Sequence, residues 1–313
     1  MTGQTEILAP DTAGLARAAA LLTAGAQVAF PTETVYGLGA DARNGAAVAG
    51  IFAAKDRPAF NPLIVHLGDA NQARTLVHWT DHAEILASAF WPGPLTLVLR
   101  LRAGHGLSGL VTAGLDTVGL RVPANTTAHS LLTAFGGPVA APSANPSGRI
   151  SPTQSSHVIA GLGGRIAAVV DGGACAVGVE STIVGLDGPY PVLLRSGGVP
   201  VEALEAALGQ TLAQPANTSI TAPGQMASHY APAAKVRLNA AEAREGEVLL
   251  GFGKLQCDLN LSPSGDLREA AAHLFEYLHQ LDALGRPIAV SPVPEHGLGA
   301  AINDRLRRAA APR

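Results

Sequence analysis

Several short stretches of this chain gather the side chains that hold anions. Thr32, Glu33 and Thr34 follow the apolar run QVAF at 27–30, and Lys55 and Arg57 stand two residues apart in KDRP. APSANPSG at 141–148 supplies Ser143, Asn145 and Ser147, with Ser151 just beyond. Glu180, Ser181 and Thr182 open another apolar run, and Arg195 closes LLR. Hydroxyls and amides of this kind bond phosphate or ribose oxygens, and cations neutralise phosphate charge. Alone, each stretch has a plainer reading. Lys55 and Arg57 would favour a helix C-terminus in solvent, and SAN would be a turn. Together they sit at the ends of expected strands, where α/β sheets place their ligands. No GxSxG elbow and no GxxxxGK[ST] loop accompanies them. Many donors and cations without a covalent catalyst form the kit for nucleotidyl transfer, where positioning and charge stabilisation dominate.

Glycines offer a competing reading. In PTETVYGLGADA, at 31–42, Gly37, Gly39 and Ala42 trace the outline of a dinucleotide turn. That fingerprint needs its first glycine at a strand tip and a helix opening at its last position. Here Pro31 to Tyr36 intervene and no N-cap precedes Ala42. GLGAAI at 297–302 shares the defect. The glycines are therefore expected to permit a turn beside a pocket, not to cradle phosphate. His78 and His82 flank Trp79 without a third ligand, which is a weak metal signal.

These groups need a frame. Helical spacing covers Thr12 to Ala24, with Asp11 as N-cap and Gly25 as stop, and AAVAGIFAAKDR reads as a helix ended by Pro58. QVAF, PLIVHL, PLTLVLRL, VGLRV, PVAA, RIAAVVDGG, STIVGL and PVLLRSGG read as strands, followed by a helix from Val201 to Leu208. Strands and helices interleave, yet several strands follow one another directly, so a mixed sheet in an α/β fold is expected. Residues 210–233 lose apolar periodicity and gain Pro, Gly, Ser and Thr, the mark of a linker. Beyond it, KVRL, EVLLGF, a helix from Leu267 to Leu284, PIAVSPV and a helix from Ala300 to Arg308 outline a small α/β unit. The division expected is 1–209, 210–233 and 234–313.

Composition bounds the function. The chain has 313 residues, 47% hydrophobic and 14% charged, with a formal charge of −3. That balance argues against a protein that coats nucleic acid. Cys175 and Cys257 lie far apart and read as free thiols. The first residues lack a basic start, and Leu15 to Phe30 is too short to span a bilayer, so a cytoplasmic protein without a membrane segment is expected.

Taken in order, FPTETVYGLGADA, KDRP with NPLIVH, WPGPLTLVL, VGLRVP, APSANPSGRISPT, DGG with GVESTIVGL, and LLRSGG resemble the YrdC-type threonylcarbamoyl-AMP synthase family, in its long two-domain form. PGQMASHYAP and GLGAAINDRLRRAA resemble the additional parts of that form. The resemblance implies a YrdC-like twisted mixed sheet with flanking helices and a small Rossmann-like C-terminal domain. It implies that L-threonine, bicarbonate and ATP yield threonylcarbamoyl-adenylate and pyrophosphate, for modification of a tRNA adenosine beside the anticodon. The family pattern places Thr34, His66, Arg121, Ala141 and Ser181 around threonine, and Arg57, Asn61, Thr117, Ser143, Ser151, Arg195 and Tyr230 around ATP. Beside that pattern, Lys55 and Arg57 are expected to be the catalytic cations that neutralise bicarbonate or developing phosphate charge, with Asn145 of the SAN loop as a supporting nucleotide contact. Mg²⁺ is expected to accompany ATP, with no ligands assigned. Tyr230 falls in the linker, which is therefore expected to close over the nucleotide.

Two positions depart from the family pattern: QMAS in the linker is less basic, and Ser196 stands where proline is common. The product implies a transient handover to a tRNA threonylcarbamoyl transferase, with direct tRNA binding left open. An RNA-binding module is the alternative, and the −3 charge weighs against it. A carbamoyl-phosphate-using relative of the hydrogenase-maturation type would carry acylphosphatase and zinc-finger-like segments, which this sequence lacks.

Overall fold

The computed structural model describes residues 4–58, 60–215 and 229–312. Ten strands form the larger sheet: β1 (Glu6–Leu8), β2 (Val28–Phe30), β3 (Gly37–Asp41), β4 (Ile64–His66), β5 (Leu95–Arg100), β6 (Thr117–Arg121), β7 (Val139–Ala140), β8 (Ala168–Val170), β9 (Thr182–Gly185) and β10 (Val192–Arg195). Their spatial order is β1-β8-β2-β3-β7-β4-β6-β5-β9-β10. β2 runs parallel to β8 and antiparallel to β3, while β4 runs parallel to β6 and antiparallel to β7. The sheet is mixed, as its runs of consecutive strands predict.

Helices α1 (Thr12–Thr23), α2 (Gly45–Lys55), α3 (Ala70–Leu76), α4 (Asp81–Phe90), α5 (Gly109–Thr112), α6 (Thr126–Phe135), α7 (Ser155–Leu162) and α8 (Val201–Leu208) accompany it. Their starts are written in the sequence. Asp11 accepts from Gly14 N, Asn44 from Ala46 and Ala47 N, and Asn125 from Ala128 N, each satisfying backbone donors that a helix leaves open. One stop differs from expectation. α2 ends at Lys55 because Asp56 takes the left-handed conformation (φ 51°), before Pro58 can act.

The glycines of PTETVYGLGADA do not form a turn. They lie within β3, paired with β2 through Val28↔Gly39 and Phe30↔Gly37. A Cβ on Gly39 would lie 2.8 Å from Phe30 and 2.9 Å from Val139. Two large side chains close over that position, and only glycine leaves them room.

A second sheet holds β11 (Val236–Arg237), β12 (Val248–Gly251), β13 (Leu259–Asn260) and β14 (Ile288–Val290) in the order β11-β14-β12-β13, with each pairing parallel. With α9 (Leu267–Asp282) and α10 (Leu298–Ala310) it forms the small Rossmann-like unit. Its core of Leu250, Phe275, Leu278 and Ile302 extends to Val35, Ile150, Val179 and Tyr230. The loops of the larger sheet are thus packed from one side by the smaller unit. Leu193 N donates to the Ala213 carbonyl and Ala213 N to the Pro191 carbonyl, both at 2.9 Å, so the first residues of the expected linker dock beside β10. Most of that linker, 216–228, lies outside the described residues.

Candidate active site

The loop from β2 to β3 folds on its own hydroxyls. Thr32 Oγ1 donates to the Val35 carbonyl at 2.7 Å and shares a 2.8 Å hydrogen bond with Thr34 Oγ1. Arg121, at the end of β6, reaches this loop. Its Nη1 donates to Thr34 Oγ1 at 2.9 Å, its Nη2 to Glu33 Oε1 at 2.6 Å, and its Nε to the Gly93 carbonyl at 3.2 Å. Three of the five guanidinium N–H groups are thereby used, and the planar fork is fixed toward the pocket. His66, at the tip of β4, packs edge-on to Phe30 with ring centroids 6.1 Å apart. Burial and the charge of Arg121 hold its imidazole down to about 3, so it is neutral.

On the opposite wall, Arg195 ends β10 and donates through Nε and Nη2 to the Ser181 carbonyl at 3.1 and 2.9 Å. Ser181 Oγ also bonds Thr96 Oγ1 at 2.7 Å. The backbones of these two strand ends come very close. A Cβ on Gly197 would lie 2.3 Å from the Ser181 carbonyl carbon and 2.4 Å from the Glu180 oxygen. Only glycine permits Arg195 to be delivered there.

The pocket between these walls is lined by Thr34, Arg57, His66, Arg121, Ala141, Ser143, Ser181, Arg195 and Tyr230, together with Thr32, Glu180 and His229. Nine of the residues that the family pattern places around threonine or ATP meet here. Burial, with the charge of Arg195 adding to it, pulls Arg57 down to about 10. Such crowding of cations is favourable when an anion joins them. Among the described residues, His66 Nδ1, His229 Nδ1 and Tyr230 Oη are buried without a hydrogen-bond partner. Unsatisfied buried polar atoms are costly, and all three of these residues line the one pocket.

Other candidates stand off the wall. Lys55 is buried, and its ammonium donates to the carbonyls of Ser143, at 2.5 Å, and Asn145. It supports the SAN loop from beneath and is not a solvated helix terminus. Burial, reinforced by Arg57, pushes its pKa well below the usual lysine range. Asn145 Nδ2 donates to Pro146 and Arg149 carbonyls, both at 2.9 Å. Asn61 is buried behind Arg57, whose Nε and Nη2 point at the Asn61 and Pro62 carbonyls. Ser151 donates to Glu180 Oε1 at 2.5 Å. Thr117 lines a small adjoining cavity of about 10 Å³ that shares Ile64 with the main pocket.

Sequence reasoning did not single out His229 or Arg305. Arg305 Nε donates to Glu180 Oε2 at 2.9 Å. The signal was present: Arg305 lies on the stripe Ala301, Ile302, Leu306 and Ala309, which α10 buries. A larger cavity, about 450 Å³, lies between the two units and is lined largely by apolar groups such as Val177, Pro200, Leu267 and Leu298. It has no comparable convergence of buried polar atoms.

Comparison with known proteins gives this geometry its context. A family model described as telomere recombination, grouping the Sua5, YciO and YrdC proteins, matches residues 20–197. A model described as the C-terminal domain of threonylcarbamoyl-AMP synthase matches residues 199–311. The chain belongs to the threonylcarbamoyl-AMP synthase family. The Pyrococcus abyssi member of that family is 41% identical over 93% of this chain and 92% of its own length. The Bacillus subtilis threonylcarbamoyl-AMP synthase is 39% identical over 98% of this chain and 95% of its own. The crystal structure of P. abyssi Sua5 complexed with L-threonine superposes with a TM-score of 0.90 at 38% identity, covering 98% of each chain. Escherichia coli YciO, at 21% identity and a TM-score of 0.56, shares the fold over 62% of this chain. Membership in the threonylcarbamoyl-AMP synthase family makes the chain a nucleotidyltransferase-type enzyme.

Proposed function

We propose that this protein makes L-threonylcarbamoyl-adenylate from L-threonine, bicarbonate or CO₂, and ATP. The observation that carries the reading is the convergence of Arg57, Arg121 and Arg195 in one buried pocket with His66 Nδ1, His229 Nδ1 and Tyr230 Oη, which have no partner among the described residues, in a family member. The threonine amine and bicarbonate form a carbamate with loss of water. A carbamate oxygen then attacks the α-phosphorus of ATP, and the bond to the β,γ-diphosphate breaks to release pyrophosphate.

Arg121, Thr34, His66, Ala141 and Ser181 are proposed to seat threonine, with the remaining N–H groups of Arg121 on its carboxylate. Arg57, Ser143, Arg195 and Tyr230 are proposed to hold the triphosphate. Asn61, Asn145 and Ser151 would shape that wall, and Thr117 would meet the nucleotide from the adjoining cavity. Lys55 would act by fixing the SAN loop. The His229–Tyr230 wall, at the end of the linker, is proposed to move as substrates load.

Glu180, the carboxylate on the pocket wall, is taken by Ser151 and Arg305. Among the described residues no group of three or more His, Cys, Asp or Glu is placed to hold a metal. Mg²⁺ is therefore proposed to enter on the triphosphate, with phosphates and water as its ligands. The proposed division of the chain into 1–209, a linker at 210–233 and 234–313 is supported by the separation of the two sheets. Among the described residues no helix is long and apolar enough to cross a membrane. Work in the cytoplasm and handover to a tRNA threonylcarbamoyl transferase complete the proposal. An RNA-binding role is not favoured, because the converging arginines are buried inside a pocket.

The test is to incubate the protein with ATP, bicarbonate and single amino acids, and to measure pyrophosphate and the adenylate by mass spectrometry. Threonine- and bicarbonate-dependent release is expected. Its absence would sink the reading.

A further inference from the structure

An acidic side chain faces the pocket proposed to bind a triphosphate. Glu180 is the carboxylate among the described lining residues, and it is 7% exposed. A carboxylate beside phosphates opposes binding, and more strongly where water is scarce. The structure shows what answers it. Arg305, on α10 of the smaller unit, is fully buried and donates from Nε to Glu180 Oε2 at 2.9 Å. Its Nη1 donates to the Ser196 carbonyl at 2.5 Å and to Asp304 Oδ2 at 3.1 Å. Asp304 in turn accepts from Arg308 Nε at 2.9 Å. The guanidinium carbon lies 5.4 Å from the centre of the Tyr230 ring.

We infer that Arg305 is a positioning residue for the nucleotide: by pairing with Glu180 it cancels the pocket's acidic charge, so that the phosphates meet a wall dominated by Arg57 and Arg195. The inference rests on the proposed nucleotide site and gives the smaller unit a part in it. The charge count supports it. Glu180 with Arg305, and Asp304 with Arg308, form two neutral pairs on this wall.

Stability alone does not explain such an arginine. Burying a charged pair costs about as much as it returns, and an apolar side chain fits the apolar stripe of α10 more cheaply. The pair also reaches the hydroxyl of Ser151, which donates to the other Glu180 oxygen. Burial raises the Glu180 carboxyl, but the charges of Arg305 and then Arg195 outweigh it and hold the group below its usual range. The carboxylate therefore stays charged and needs its partner at every working pH.

The experiment uses the full chain. Arg305→Met exposes the phosphates to an uncancelled Glu180 and is expected to raise the KM for ATP about tenfold. Threonine affinity, measured by calorimetry without ATP, is expected to stay within about twofold, since Arg305 does not line the threonine wall. Adding Glu180→Gln to Arg305→Met should return the ATP KM to within about threefold of wild type. Glu180→Gln alone should leave the ATP KM unchanged or lower.

A double variant as impaired for ATP as Arg305→Met, while folded by circular dichroism, would overturn the charge-cancelling role. A tenfold rise in ATP KM for Glu180→Gln alone would overturn it too, because Glu180 would then serve the nucleotide directly. That second arm decides the matter if Arg305→Met does not fold. Wild-type protein without threonine-dependent pyrophosphate release defeats the proposed function itself. Active wild type with an unchanged ATP KM in Arg305→Met defeats only this inference.

Discussion

Glu33 and Arg121 form a buried ion pair behind the pocket, with N–O separation of 2.6 Å and side-chain exposures of 10% and 4%. Glu33 Oε2 also accepts from Ala124 N at 3.1 Å, tying the β2–β3 loop to the end of β6. Removing one member of such a pair leaves a buried charge without its partner. Glu33→Gln is therefore expected to cost about 3 kcal/mol of folding stability and to weaken threonine binding roughly tenfold. Urea unfolding and calorimetry check both. Unchanged threonine affinity would show that Arg121 is held well enough by Thr34 and Gly93 alone.

Lys55 yields a different expectation from a cation aimed at substrate. Its ammonium bonds the carbonyls of Ser143 and Asn145, so Lys55→Met should loosen the SAN loop and lower stability by about 2 kcal/mol. The KM for ATP should rise through displaced Ser143. Full stability with lost turnover would instead mean that the ammonium leaves those carbonyls to act on the reacting groups.

Tyr230 places against the pocket a buried hydroxyl that has no hydrogen-bond partner among the described residues. Replacing it by phenylalanine keeps the ring contacts to Phe275 and Arg305 and removes only the oxygen. The unfolding midpoint should hold or rise slightly, while ATP affinity falls about fivefold, the scale of one neutral hydrogen bond. Equal affinity for ATP in both proteins would confine Tyr230 to packing.

Acid should unfold the protein through its neutral histidines. Burial holds His66 and His229 down to about 3 and His279 to about 4, against roughly 6.5 in an unfolded chain. Below that value the unfolded state binds protons that the folded state refuses. This share of stability is complete above about pH 6.5 and is lost as the pH falls toward about 4 for His279 and about 3 for His66 and His229, by up to about 1.4 kcal/mol per unit for each histidine. Urea titrations at pH 7.5, 6.5 and 5.5 measure the slope. A flat profile would show that these rings take up protons in the fold as readily as in the unfolded chain.

Much of the site was readable because its residues cluster at strand ends. Thr34 follows β2, Arg121 ends β6, Ser181 precedes β9 and Arg195 ends β10. Each sits at the boundary between an apolar run and polar groups, a local pattern. What escaped notice depends on distance along the chain. The Glu180–Arg305 pair spans 125 positions, and RLRRAAAPR on its own reads as a charged helix end. β3 escaped for a local reason. Glycine argues for a turn until Phe30 and Val139 are seen closing over Gly39. β1 is three residues long, too short for alternation to register.

The pairing of β2 with β8 bears on how the chain is made. Val28 and Ala29 align with Ala168 and Val169, so a ribosome must add some 140 residues before the partner exists. At about 5–20 residues per second that takes roughly 7–28 s. Through that interval one edge of a buried apolar strand stays open while β3 already covers the other. The nascent protein thus offers chaperones a binding stretch around VAF early in synthesis. Completion of β8 closes it.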